Sequence, residues 1–326
     1  MPNTLPRVVI ATPYLAEANN GNWRTAHRWQ SMLAGRFAAI VQKDWTAESA
    51  PGTDLMIALH ARRSADLILR FKAAFPERPL VVVLTGTDLY RDLVESAAAR
   101  QSLAIADALI VLQEDGIRHI PQDQRRKTHV VYQSARPLKP ATKPRSKLDC
   151  VVVGHLREEK SPQTIFRLME SLPSALPIRL LHIGGGQDSK LAAQAVALAA
   201  SHRNYQWSGA LPHGLTRAAI KRAHLLIHPS IMEGGANVIV EAITAGTPVL
   251  ASRMSGNIGM LGPEYPGYFP VGDDNALAEL LQRCLAEPNF LSRLTSACAA
   301  RAKLFLPETE RETLCHILDN LLAPSQ

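Results

Sequence analysis

Residues 224–252 read "HLLIHPSIMEGGANVIVEAITAGTPVLAS", and the reading of this stretch decides the fold class. A short apolar run is closed by Pro229, Gly234 and Gly235 make a loop, a segment with helical apolar spacing ends at Gly246, and a second apolar run follows. Strand, loop, helix and strand in that order, with strands apolar throughout, predict a βαβ unit of a parallel sheet covered on both faces. Glu233 then lies in the loop and Glu241 in the second turn of the helix. Between them the N–H groups of Gly235, Ala236 and Asn237 have no intrahelical acceptor, and the helix dipole favours negative charge beside them. Such a start suits a phosphate or a polar sugar, and a carboxylate one turn further on can accept both hydroxyls of a ribose. Taken singly, Glu233 reads as a helix cap and Glu241 as a solvated surface residue. Together with the glycine loop they fit a nucleotide diphosphate joined to a sugar.

The same alternation runs through the chain. "RVVIATP", "DLMIALH", "PLVVVLTG" and "ALIVLQ" precede residue 114, and "DCVVVGH", "RLLHIGG", "HLLIHPS" and "TPVLAS" follow residue 148. Between the two sets "ARPLKPATKPRSK", residues 135–147, has linker composition. A chain of 326 residues with 46% apolar content is long for one core and suits two. The expected organisation is an α/β protein of two doubly wound, Rossmann-like parallel-sheet domains at 1–138 and 148–303, joined by a linker at 139–147. Residues 304–326, with "LPETERETLCHILDNLL", form an amphipathic helix. Ligands of such sheets bind beyond the carboxyl ends of the strands, so a cleft between the two lobes is the expected site.

Three further loops of the second half carry chemistry. "VVVGHLREEKSP" sets His155, Arg157 and Lys160 between a strand and a helix, where fixed cations could stabilise a departing diphosphate or simply form a solvated first turn. "HIGGGQDSKL" lacks the last glycine of GxGxxG, so Gly184, Gly185 and Gly186 read as a place for close backbone approach to a base or phosphate. Asp273 and Asp274 precede a helix and read as caps. No metal site is supported.

In the first half, "NNGNWRTAHRWQSML" joins a strand to a helix through the turn-prone Asn19, Asn20, Gly21 and Asn22. Trp29 shares a stripe with Met32 and Leu33 and reads as packing. "ALHARRSA" puts His60, Arg62 and Arg63 after one strand, and "VLTGTDLYRD" puts Thr85, Gly86, Thr87, Asp88 and Arg91 after another. His60 and Asp88 could serve as acid, base or hydroxyl ligand, and the arginines could hold an anion. Each also reads as a hydrogen-bonded loop anchor.

With these residues named, "PS..EGGANVIVEA...GTPVLAS", preceded by "LLHIGGG" and "WSGALPH", resembles the donor half of GT-B glycosyltransferases of family 4, which transfer sugar from a nucleotide donor without a bound metal. That resemblance implies that Glu241 binds the ribose and that Glu233 with Gly234, Gly235, Ala236 and Asn237 faces the donor sugar and diphosphate. It also implies that the C-terminal helix crosses back onto the first lobe. The common cationic motif begins Gly-Arg-Leu and reaches Lys five residues after the Arg; here His155 fills the Arg position, Lys160 the Lys position, and Arg157 stands two residues on. "GNWRTAHRW", "DLMIALHARRSA", "LTGTDLYRDL", "VGHLREEK", "EGGANV", "GNIGMLG" and "YPGYFPVGD", in that order, resemble the selenosugar synthases of bacterial selenoneine biosynthesis. The implied reaction is transfer of N-acetylglucosamine from UDP-GlcNAc to the selenium of selenophosphate. Catalysis would fall to Glu233, Lys160, His60 and Asp88, with donor contacts from His155, Arg157, Gly184 and Gly185. Gly21, Asn22, Arg24, His60, Arg62, Thr85, Gly86 and Thr87 would hold the acceptor.

The formal charge of +7 fits anionic ligands. A nucleic-acid binder would want aromatics interleaved with basic residues, and aromatics are 5% here. A family 4 enzyme with a sugar or other small-molecule acceptor, or a nucleotide-sugar epimerase or hydrolase, would share the second half. Four scattered cysteines form neither a zinc pattern nor a disulfide framework, and no apolar run spans a membrane. The expectation is a cytoplasmic protein with no metal or other cofactor, binding small molecules and neither nucleic acid nor membrane.

Overall fold

The computed structural model describes residues 5–14, 21–48, 50–144 and 146–323; the expected turn at Asn19 and Asn20 lies outside them. The chain divides into two compact units, Met1–Gln133 with Pro307–Gln326, and Ser134–Leu306.

In the first unit β1 (Arg7–Ala11), β2 (Ala38–Gln42), β3 (Leu55–Leu59), β4 (Leu80–Leu84), β5 (Ala108–Val111) and β6 (Thr128–Val130) form one parallel sheet in the order β2-β1-β3-β4-β5-β6. Val9 stands opposite Ile40 on one side and Met56 on the other. Alternate residues enter opposite cores, as the pleat requires. Val8, Ile10, Ile57 and Val83 pack with Trp29 and Leu33 of α1 (Gly21–Leu33) and with Leu314 and Leu318 of the C-terminal helix, Pro307–Leu322. Val9, Met56 and Val82 pack with Trp45, with Phe71 of α2 (Ala65–Ala74), and with Leu93 of α3 (Leu93–Glu95) and Leu103 of α4 (Ala97–Ile105). The C-terminal helix is held by a buried carboxylate: Glu310 accepts from Trp29 Nε1 at 2.7 Å and from Arg28 Nε at 3.0 Å.

In the second unit β7 (Leu148–Val153), β8 (Ile178–Ile183), β9 (Tyr205–Trp207), β10 (Leu225–His228), β11 (Val249–Ser252) and β12 (Tyr268–Phe269) are again all parallel, in the order β12-β11-β10-β7-β8-β9. The helices are α5 (Pro162–Ser171), α6 (Ser189–Ser201), α7 (His213–Arg222), α8 (Asn237–Thr244), α9 (Ser255–Leu261), α10 (Asp274–Ala286) and α11 (Pro288–Arg301). Asp273 caps α10 by accepting from Ala276 N–H at 2.9 Å, and Gly246, at φ 71°, ends the turn after α8. The proline-rich segment before β7 is tied to this unit, with Leu138 N–H donating to Thr244 O at 2.9 Å.

Both sheets are doubly wound, as expected. In each, the chain moves outward from the first strand and then returns to its other side, so the crevice at the switch point opens beyond β1 and β3 in the first unit and beyond β7 and β10 in the second. The four strands that the apolar runs miss, β2, β6, β9 and β12, are the four sheet edges.

Candidate active site

At the switch point of the second unit the loops after β7 and β10 meet. Arg157 opens a short 3₁₀ turn, Glu158–Lys160, and Ser161 follows at φ 46°, a left-handed backbone that sends the chain into Pro162 and α5. Glu159 O accepts the N–H of Ile231 at 2.9 Å, stitching this turn to the β10 loop. The result is an ion pair between Lys160 Nζ and Glu233 Oε1, both mostly buried. Gly256 makes the seat of Glu233 possible: a Cβ there would lie 2.0 Å from Glu233 O. Burial alone would raise the Glu233 carboxyl; the Lys160 ammonium, with a smaller contribution from His228, more than reverses this and holds it well below the usual carboxylate range. His228 Nε2 stands 3.4 Å from Glu233 Oε1 without the alignment of a hydrogen bond, and burial pushes that imidazole down.

After Glu233, Gly234 and Gly235 lead to Ala236, which precedes α8 without a side-chain cap. No described residue accepts from the N–H groups of Gly235, Ala236 or Asn237, so this helix start faces its surroundings with donors and a positive dipole end. Glu241, one turn on and 9% exposed, is bonded through Oε1 to His213 Nε2 at 2.6 Å.

The remaining donor-side residues take other positions. His155 Nδ1 accepts the N–H of Gly185 at 3.0 Å, so the residue in the arginine position of the resemblance joins two loops through a ring nitrogen that bears no proton. Gly184 lies against Gly154, whose carbonyl oxygen would be 1.8 Å from an added Cβ. Gly184 and Gly185 thus bring the β7 and β8 loops into contact, and Gly186 packs against Ala192 and Trp207. Arg157 is half-exposed, 3.9 Å from Glu159 Oε2.

The first unit gathers its residues beyond β3 and β4. His60 is buried at φ 73°, a left-handed conformation costly for a side chain of this size, with Nε2 3.1 Å from Thr87 Oγ1. Asp88 is fully buried, and its carboxylate accepts three backbone N–H groups: Ala61 at 3.0 Å, Thr85 at 2.9 Å and Gly86 at 2.9 Å. Those contacts join the β3 and β4 loops, as a loop anchor would. It opens a π-helical turn, Asp88–Asp92. Asp92, a residue the sequence reading passed over, is buried and holds two half-exposed guanidiniums, Arg62 Nε at 2.7 Å and Arg91 Nε at 3.6 Å. Arg63 turns to the Tyr14 ring, 5.0 Å from its centroid. Gly21, Asn22 and Arg24 form the first turn of α1, where Gly21 O accepts from Thr25 Oγ1 at 2.9 Å.

Among the described residues no group of three or more His, Cys, Asp or Glu is placed to hold a metal ion, and no helix is long and apolar enough to cross a membrane. All four cysteines are buried and outside any disulfide.

The fold is shared with solved glycosyltransferase structures. Anabaena HepE in complex with UDP superposes with a TM-score of 0.76 at 16% identity, over 97% of this chain and 100% of that one. Sucrose-phosphate synthase from Thermosynechococcus elongatus gives 0.76 at 18% identity, over 98% and 100%. Both are of the GT-B type, as the resemblance implied. A curated relative, the phosphatidyl-myo-inositol mannosyltransferase of Mycobacterium leprae (strain TN), is 28% identical over 170 residues, which is 50% of this chain but 44% of the mannosyltransferase. The match to the family model described as "Glycosyl transferases group 1" runs over residues 138–301, half of the chain and nearly all of the second unit, and the protein belongs to that family.

Proposed function

We propose that this protein is a selenosugar-forming glycosyltransferase, moving N-acetylglucosamine from UDP-GlcNAc to the selenium of selenophosphate. The second unit grips the donor: Glu241 accepts the ribose hydroxyls, the bare N–H groups of residues 235–237 and Lys160 take the diphosphate, and Glu233 faces the sugar. On donor binding Lys160 exchanges part of its contact with Glu233 for phosphate oxygens, and Arg157 adds a second cation. The UDP-bound relative of the same fold supports a uridine nucleotide in this role.

The acceptor side is read from the first unit, and one observation carries it. Two half-exposed guanidiniums, Arg62 and Arg91, lie against one buried carboxylate, Asp92, so that this group of three carries a net positive charge, while the neighbouring Asp88 carboxylate is taken up by the N–H groups of Ala61, Thr85 and Gly86. A carbohydrate acceptor would call for aromatic platforms and carboxylates open to hydroxyls; a small dianion calls for cationic side chains, which the two guanidiniums supply. The ordered first-unit segments from Gly21 to Arg91 that resemble selenosugar synthases point the same way.

In the reaction a selenium lone pair forms the C1–Se bond as the C1–O bond to the β-phosphate breaks, and UDP leaves with that electron pair. Selenium is already anionic, so no proton needs removal and Asp88 is not required as a base. Lys160 and the α8 start meet the charge that develops on the leaving diphosphate. Orientation of the two substrates supplies the rest. The protein does this without a bound metal. Mass spectrometry of an anaerobic, reducing incubation with UDP-GlcNAc and either selenophosphate or phosphate tests the reading. A selenium-bearing hexosamine in the first mixture alone is expected; UDP release without it in both would replace the proposal with a hydrolase.

A further inference from the structure

We infer that His213 is a positioning residue for Glu241 and thereby sets the enzyme's preference for a ribonucleotide over a deoxyribonucleotide donor. The inference rests on the reading of Glu241 as the ribose ligand and adds a residue to it. His213 is the first residue of α7, and α7 packs on α8. Pro212 before it, at φ −52°, fixes where the helix starts. From that turn Nε2 reaches Glu241 Oε1 at 2.6 Å, a short bond of the kind made to a charged acceptor. The hydrogen bond and ion pair that Glu241 makes among the described residues use Oε1, and none uses the other oxygen, Oε2. One oxygen is thus clamped and the other is left for a ligand.

The consequence is geometric. A glutamate side chain has three rotatable bonds, and a carboxylate that must accept two vicinal hydroxyls has to be held in one orientation for both. Glu241 is 9% exposed, and among the described residues no other hydrogen bond or ion pair holds its head group. His213 is itself half-exposed, so its loss opens no core cavity and should leave the fold intact. Glutamine in its place keeps an N–H donor on a side chain of comparable reach; alanine does not.

Equilibrium titrations with UDP and with 2′-deoxy-UDP separate this role from a structural one. Wild type is expected to prefer UDP by about ten- to a hundredfold, the worth of a hydrogen bond to a charged group. His213→Ala should cut that preference by about tenfold, chiefly through weaker UDP binding, with 2′-deoxy-UDP affinity and thermal midpoint little changed. His213→Gln should recover most of it. Equal weakening toward both nucleotides, or a preference untouched in His213→Ala while Glu241→Ala abolishes it, overturns the inference and leaves Glu241 as the ribose ligand. A preference untouched in Glu241→Ala removes that reading of Glu241 and the inference with it.

Discussion

Glu233 and Asp88 occupy comparable places, each an acid just beyond a central strand of a doubly wound parallel sheet, yet the two units use them in opposite ways. Asp88 spends its oxygens on three backbone N–H groups of its own and a neighbouring loop. Glu233 meets a lysine side chain from another loop, next to a helix start whose N–H groups no described residue accepts. A carboxylate satisfied by backbone is committed for as long as the fold lasts, whereas a side-chain ion pair can exchange partners when an anion arrives. Acidic character and position after a strand are the same for both; the partner is what differs, backbone for Asp88 and a side chain for Glu233.

That contrast can be broken in several ways. The largest effect is expected from Lys160→Ala, which removes the cation proposed to meet the leaving diphosphate: kcat should fall by about 10²–10³, with an unchanged circular dichroism spectrum. A loss below tenfold would put Glu233 in the same class as Asp88. Asp88→Ala should act on stability instead, costing about 3 kcal/mol because three N–H groups lose their acceptor in a buried place, read as a lower urea midpoint. If that variant folds with wild-type stability and loses turnover, Asp88 is chemical after all.

Acid should weaken the second unit through His182. Burial pushes this imidazole from the usual 6.5 down to about 4. The unfolded chain then binds the proton first, so the stability His182 permits is complete above its unfolded pKa and declines as pH falls from 6.5 toward 4. Between pH 7 and pH 5 the loss should be about 2 kcal/mol, and denaturant titrations of His182→Gln should recover much of it. Identical acid sensitivity in the variant would assign the effect elsewhere.

The interior strands were readable because strands buried on both faces are apolar at every position, as "LMIAL" and "LVVVL" are. The edge strands were not. In β2, "AAIVQ", no residue is buried, and β12 is two residues long, so neither leaves a periodic trace. The glycine-bounded loop with Glu233 and the uncapped start of α8 were equally local and equally legible. What local spacing cannot encode is which distant group meets which: Lys160 with Glu233, Asp92 with Arg62, and His213 with Glu241 are joined by loops whose meeting depends on strand order. His213 stood in view at the end of "WSGALPH", but only its distance to Glu241 gives it a role.

The central claim is a division of labour, with the nucleotide held by the second unit and the acceptor anion by the first. Calorimetric titration of UDP into wild type, Glu241→Ala and Arg62→Ala tests it most directly. Glu241→Ala should weaken UDP binding by about tenfold or more, and Arg62→Ala should leave it unchanged while raising the KM for the acceptor by about tenfold. Equal loss of UDP affinity in both variants would contradict the account.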